Sequence, residues 1–240
     1  MTANYFIKDG YQANPVISFD EDSPEANAYW EIADHLQGSA SYQWPVYKEL
    51  AKAAAARKAA RVADVGCGSA LKLMEGAKSL PATTVVGFDQ ASAIRFCKKR
   101  HAGREFHQVN LNEPVAWSGA KFDVVNCSDV IEHVEKPEIL LASLRALVSD
   151  DGVIMISTPE RDLTRGRSAQ GCSNKYHVRE WNQAEFEKFV TSQGFEIVSA
   201  KLLFPVKFGR PFRLLADPLW RLLTFRPQRY NLLLTLKPVK

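Results

Sequence analysis

The chain has 240 residues, 46% of them hydrophobic and 24% charged, values that fit one well-buried globular domain with modest additions and exclude a disordered chain or a fibrous repeat. No apolar run approaches the roughly 20 residues of a membrane-spanning helix. The net charge of +4 is uneven: residues 201–240 hold nine Lys and Arg against Asp217, so the first 200 residues are net acidic. That body does not suit a general nucleic-acid binder, whereas the basic tail could meet an anionic surface.

Residues 1–45 are rich in aromatics, among them Tyr5, Phe6, Tyr11, Tyr29, Trp30 and Trp44. Disordered segments are poor in such residues, so an N-terminal cap over a site is expected, followed by the main domain over 46–240. Met1–Gly10 has no basic start followed by an apolar run, and a cytoplasmic protein is expected. A helix is predicted after Pro45, through the Ala-rich run to Ala60. Strands are then predicted at 61–65, 83–88, 106–109, 122–127 and 153–157, separated by helices at 71–79, 91–101 and 137–148. This alternation predicts an α/β fold with a mostly parallel sheet and helices on both faces.

Residues 159–180 read as a polar loop in which Arg161, Arg165 and Arg167 are candidates to hold phosphate or carboxylate groups. A capping box, Asn182 with Glu185, opens a predicted helix at 182–193. Two further strands are predicted at 195–203 and 230–236. The basic, aromatic insertion 204–229 lies between them and is read either as a lid or peripheral membrane contact, or as a helix packed on the domain. Cys67, Cys97, Cys127 and Cys172 show no C-x-x-C pairing and read as free thiols.

The most informative run is Asp64-Val65-Gly66-Cys67-Gly68-Ser69-Ala70, a strand end turning through glycines into a helix. Small residues there let the backbone approach a ligand. A dinucleotide site would place a third glycine where Leu71 stands, and Asp64 would repel a pyrophosphate but attract a cationic ligand. Asp89 ends the second strand, where a carboxylate can accept bonds from two ribose hydroxyls. Asn110 follows the third strand. The fourth leads into Ser128-Asp129-Val130-Ile131-Glu132-His133.

These elements in this order resemble the class I S-adenosylmethionine-dependent methyltransferases, over about residues 45–200, with Ala70 in place of the family's last loop glycine. The resemblance implies a Rossmann-like, seven-stranded, mostly parallel sheet whose last strand is antiparallel. It implies S-adenosyl-L-methionine bound by Asp64, Gly66, Cys67, Gly68, Asp89, Gln90, Asn110, Leu111 and Ser128.

If the segment after the fourth strand is helical, Asp129, Glu132 and His133 share one face. With His177 they resemble the metal-binding runs of plant-type small-RNA 2′-O-methyltransferases and of quinone-biosynthesis O-methyltransferases, with Asp129 standing where a Glu is found. Two readings follow: a divalent Mg or Mn site formed by Asp129, Glu132, His133 and His177, or acid/base residues Asp129, His133 and His177 without an ion. The expected activity is O-methylation of a small molecule or glycan, lipid-linked or not. An RNA methyltransferase of the metal-assisted 2′-O type and a non-catalytic cofactor-binding partner subunit are the alternatives. Nucleic acid is disfavoured because the acidic body offers no broad basic track.

Overall fold

A computed structural model describes residues 5–17, 20–204 and 230–239, with backbone alone over 33–41. The insertion at 205–229, and with it the expected membrane contact, lies outside the described residues. In chain order the elements are α1 (Pro24–Tyr29), α2 (Ala33–Arg57), β1 (Arg61–Val65), α3 (Leu71–Ala77), β2 (Thr84–Asp89), α4 (Ala91–Arg100) and β3 (Glu105–Gln108). They continue with β4 (Phe122–Ser128), α5 (Pro137–Leu147), β5 (Val148–Pro159), α6 (Arg161–Arg165), α7 (Gln183–Ser192), β6 (Phe195–Leu203) and β7 (Asn231–Pro238).

The strands form one seven-stranded sheet in the order β3-β2-β1-β4-β5-β7-β6. β7 runs antiparallel to both its neighbours, β5 and β6, and the other pairings are parallel. The expected architecture is therefore present. From β1 the chain fills one side of the sheet through β2 and β3, then returns to the far side of β1 as β4. The carboxyl ends of β1 and β4 thus flank a topological switch point, where open α/β sheets leave a crevice for a ligand.

Alternation along the strands divides the core between the two faces. Val62 of β1 packs with Val46, Tyr47, Leu50 and Leu73 of α2 and α3. Ala63 and Val65 belong to the cluster on the other face, which also holds Leu140 and Leu144 of α5 and Phe186 and Phe189 of α7. Burying a side chain of this size contributes about 1.5–3 kcal/mol. The expected capping box is formed, with Asn182 accepting from the Glu185 N–H and Glu185 accepting from the Asn182 N–H.

Two expected elements differ. The helix placed after Pro45 starts at Ala33 and carries Pro45 inside it. One interior proline removes one N–H donor, and the burial of Val46, Tyr47, Leu50 and Ala54 along the same helix outweighs that loss. The polar stretch after β5 contains the short helix α6, whose N-cap Glu160 accepts from the Leu163 N–H. Among the described residues no helix is long and apolar enough to cross a membrane.

Candidate active site

The glycine loop follows directly from backbone demands at the end of β1. Gly66 and Gly68 have φ of +77° and +56°, a region that L side chains enter only under strain. A Cβ on Gly66 would stand 2.2 Å from Val130 Cγ2. Beside the loop, at the end of β2, the Asp89 carboxylate accepts from the N–H groups of Gly68 at 2.6 Å and Gln90 at 2.7 Å. Burial raises its pKa to about 6, more strongly than these two bonds lower it. Part of the side chain still opens to the crevice.

The other expected donor residues surround this pair. Gln90 is the N-cap of α4, and Cys67 is buried next to Cys97, whose thiol donates to the Gly68 carbonyl at 3.0 Å. Ser128 is buried, its hydroxyl joined to Ser157 and its carbonyl accepting from Gln43 at 3.1 Å. Asn110 is exposed in a turn, accepting from the Asn112 N–H and donating to Glu113. Leu111 packs against the core behind it. Asp64 lies deeper: it is fully buried and accepts from the Tyr47 hydroxyl at 2.8 Å and Asn126 Nδ2 at 2.7 Å. It can attract a cation through space, with its oxygens already engaged.

The chain before α2 covers this crevice. Trp30 lies over Gly68, 3.1 Å from where a Cβ would stand, and donates its indole N–H to Ser92. Glu21 accepts from the Ala91 N–H at the start of α4, and Arg95 binds Asp22, Asn27 and the Glu21 carbonyl.

A second cluster forms after β4, in a turn rather than the helix considered above. Asp129 opens the turn at φ +53°, and its carboxylate accepts from Ser157 Oγ and Asn231 Nδ2, both at 2.9 Å. That bend separates Asp129 from its expected companions, so it is corrected out of the metal-ligand set. Glu132, His133 and His177 do come together, with one ligand atom from each lying within 4.8 Å of the others.

Their hydrogen bonds fix which atoms remain available. Nδ1 of His133 lies 2.9 Å from the Tyr176 carbonyl. A carbonyl only accepts, so Nδ1 carries the proton and Nε2 the lone pair. Nδ1 of His177 lies 2.6 Å from Glu180. Burial would raise the Glu180 pKa, but bonds from His177 and Arg165 outweigh it and hold it at about 2. The same tautomer follows for His177. The two rings meet edge to face with centroids 4.6 Å apart. Dense packing, then His177, keep the His133 pKa below its ordinary value, an effect moderated by the ring edge that reaches solvent. Glu132 is fully buried. Its Oε2 accepts from Thr158 at 3.2 Å while Oε1 has no hydrogen-bond partner.

The profile of a methyltransferase-domain family matches residues 36–200. The chain belongs to this family, that of the class I S-adenosylmethionine-dependent methyltransferases. It is similar to a ubiquinone biosynthesis O-methyltransferase of Actinobacillus pleuropneumoniae, 31% identical over 112 residues that make up 43% of this chain and 47% of the relative. The match thus spans about half the length of that curated relative. Among solved structures it shares its fold with a [4+2]-cyclase, TM-score 0.66 at 13% identity, covering 95% and 100% of the two chains. It also shares it with an O-methyltransferase of neocarzinostatin biosynthesis bound to S-adenosylmethionine and a hydroxynaphthoic acid, TM-score 0.61 at 13% identity, covering 90% and 60%.

Of the three arginines expected to grip an anionic substrate, Arg161 and Arg165 are turned inward, whereas Arg167 is exposed. Arg161 is fully buried and bonds both oxygens of Glu185, at 2.6 and 2.9 Å, as well as Asp162. Arg165 bonds both oxygens of Glu180, at 2.9 and 3.1 Å. Burying a guanidinium requires such carboxylates, and α7 and its approach supply them. Sequence reasoning missed Trp30, which lies over the glycine loop, and Tyr47, which bonds Asp64.

Proposed function

We propose that the methyltransferase transfers its methyl group to a hydroxyl oxygen of a small aromatic acceptor, with His133 as the base. The observation that carries this reading is the pair of oriented imidazoles at the carboxyl end of β4, next to the glycine-loop crevice. The acceptor hydroxyl gives its proton to Nε2 of His133 as the oxygen lone pair forms the new C–O bond. The S–CH3 bond breaks with its electron pair going to sulfur, which leaves S-adenosylhomocysteine. An imidazole with a lowered pKa stays neutral at physiological pH but is a weak base. It matches a phenol, of pKa about 10, better than an aliphatic alcohol. Tyr29 and Tyr176, both partly exposed, offer an aromatic rim. The O-methyltransferase names of the relatives and the hydroxynaphthoic acid bound by a structural neighbour support the same class. A lipid-linked acceptor rests on the insertion, outside the described residues.

A divalent ion such as Mg or Mn is the second reading, favoured by the bare Oε1 of buried Glu132. Glu132, His133 and His177 would hold it, without Asp129, and Glu180 and the Tyr176 carbonyl would orient the two rings as outer partners do in metal sites. Such an ion, when bound, lowers the pKa of an acceptor oxygen.

Labelled donor presented with phenols, catechols, alcohols, glycans and RNA tests the proposal. Label is expected on a phenolic oxygen, and label confined to nitrogen, alcohols or RNA would refute it.

A further inference from the structure

The N-terminal arm ahead of α1 runs along the acceptor side of the site, and the methyl-transfer scheme gives it no part. Pro15 disfavours helix at Asn14 before it, and Gln12 pairs with Gly171 as a parallel bridge. The Gln12 N–H donates to the Gln170 carbonyl at 2.7 Å and the Asn14 N–H to the Val178 carbonyl at 2.9 Å. Ile7 is buried in the core, and the Tyr5 carbonyl accepts from the Trp181 indole N–H. Backbone bonds and apolar packing therefore already hold the arm.

The Asn14 side chain acts on a different segment. Its Nδ2 donates to the Asn174 carbonyl at 3.1 Å and to the His177 carbonyl at 2.9 Å. An amide nitrogen has two protons and carbonyls only accept, so both protons are engaged and the orientation of the amide is fixed. The two carbonyls bracket Tyr176, an exposed residue in a turn. That turn carries both constraints on the imidazole pair: the Tyr176 carbonyl accepts from Nδ1 of His133, and the His177 ring meets His133 edge to face. On its other side the turn is held by the Glu132 carbonyl, which accepts from the Val178 N–H at 2.7 Å. Asn14 closes it from the side of the arm.

We propose that Asn14 is a positioning residue for methyl transfer, which fixes the 174–178 turn and, through it, Nε2 of His133 and of His177. The inference rests on the acceptor lying at the imidazole pair. The arm then belongs to the active site, acting through the turn and not on the reactants. A small displacement suffices, because misplacing a reacting group by about 1 Å costs roughly 100-fold in rate.

The test applies two independent readouts to Asn14→Ala and to Asn14→Asp, which keeps the volume and removes both donor protons. Label transfer to a phenolic acceptor is expected to fall roughly 10- to 100-fold in kcat, with S-adenosylhomocysteine affinity by calorimetry unchanged. Nitrogen-15 spectra of histidine-labelled protein, assigned with His133→Gln, should show one His133 tautomer in the wild type and a mixture in the variants. Lys8→Ala removes another bond of the same arm, to the Arg167 carbonyl, and should alter neither readout. An unchanged kcat, a loss matched in donor affinity, or an equal loss in Lys8→Ala would mean that Asn14 only anchors the arm, and would overturn the proposal. Should Asn14→Ala lack a cooperative thermal transition, Asn14→Asp carries the comparison; if neither variant has one, Asn14 is a folding residue and the proposal falls. Wild-type protein that methylates no phenol would refute the proposed function, whereas an unchanged His133 tautomer in the variants would refute this inference alone.

Discussion

Donor affinity is expected to depend on pH through Asp89. In the free protein its carboxyl titrates near pH 6 instead of at its ordinary 3.8, because burial disfavours the anion more than the Gly68 and Gln90 N–H groups favour it. Ribose hydroxyls donate hydrogen bonds, so the anion is the form that binds, and a proton competes with the donor. With a free-protein pKa raised to about 6, affinity is full above that value and declines as pH falls through it. A single competing proton at that pKa weakens the apparent affinity about twofold at pH 6 and about tenfold at pH 5. The carboxyl keeps an opening to the crevice, so solvent trims the effect to roughly three- to tenfold at pH 5. Calorimetry with S-adenosylhomocysteine at pH 5, 6 and 7, in buffers of different ionisation enthalpy, measures both the affinity and the proton released on binding. Asp89→Asn should bind roughly 10- to 100-fold more weakly at pH 7, with a flat profile. A flat wild-type profile between pH 5 and 7, or a pH dependence that survives in Asp89→Asn, would refute the reasoning.

Two further outcomes concern the acceptor side and the frame. His133→Ala is expected to lower kcat by roughly 10²- to 10⁴-fold with donor affinity intact, measured by label transfer to a phenolic acceptor. Turnover lost on chelation of the wild type and restored by Mn²⁺ would move the assignment to the metal reading. Glu185→Ala leaves the Arg161 guanidinium buried without its bidentate partner, a loss of about 3–5 kcal/mol. For a chain of this size that corresponds to a fall in Tm of roughly 6–20 °C, and a change under about 2 °C would show the pair to be dispensable.

The sheet and the glycine loop were legible in the sequence because local physics dictates them. Alternating hydrophobicity marked the strands, and positive φ at the turn after β1 requires small residues at Gly66 and Gly68. Asp89 was legible for a related reason: it ends a buried strand beside that turn. Asp129 was not. Grouping it with Glu132 and His133 assumed helical spacing, but Pro137 starts α5 only later, and the eight residues before it form a connection that begins in a left-handed conformation. Arg161 and Arg165 read as candidates for an anionic substrate because their partners, Glu185 and Glu180, lie 24 and 15 residues away in sequence. A capping box reveals one use of the Glu185 carboxylate and conceals the other.

Hydrogen bonds show which groups the buried acids of this region hold. Asp64, Asp129, Glu180 and Glu185 each have both oxygens occupied by protein donors. Each therefore holds other groups in place, and removing a donor from such a buried acid costs more than the bond itself returns. Glu132 differs, with one oxygen bound and one bare at full burial. His133 and His177 differ in the same sense, since an acceptor at Nδ1 leaves Nε2 as the nitrogen with a lone pair. At Glu132 the bare oxygen is buried, and a buried acceptor without a donor is unfavourable unless a ligand proton or an ion completes it. The ligand atoms of Glu132, His133 and His177 also converge, and on that ground the proposal puts the acceptor's reacting oxygen beside them rather than at Asp129.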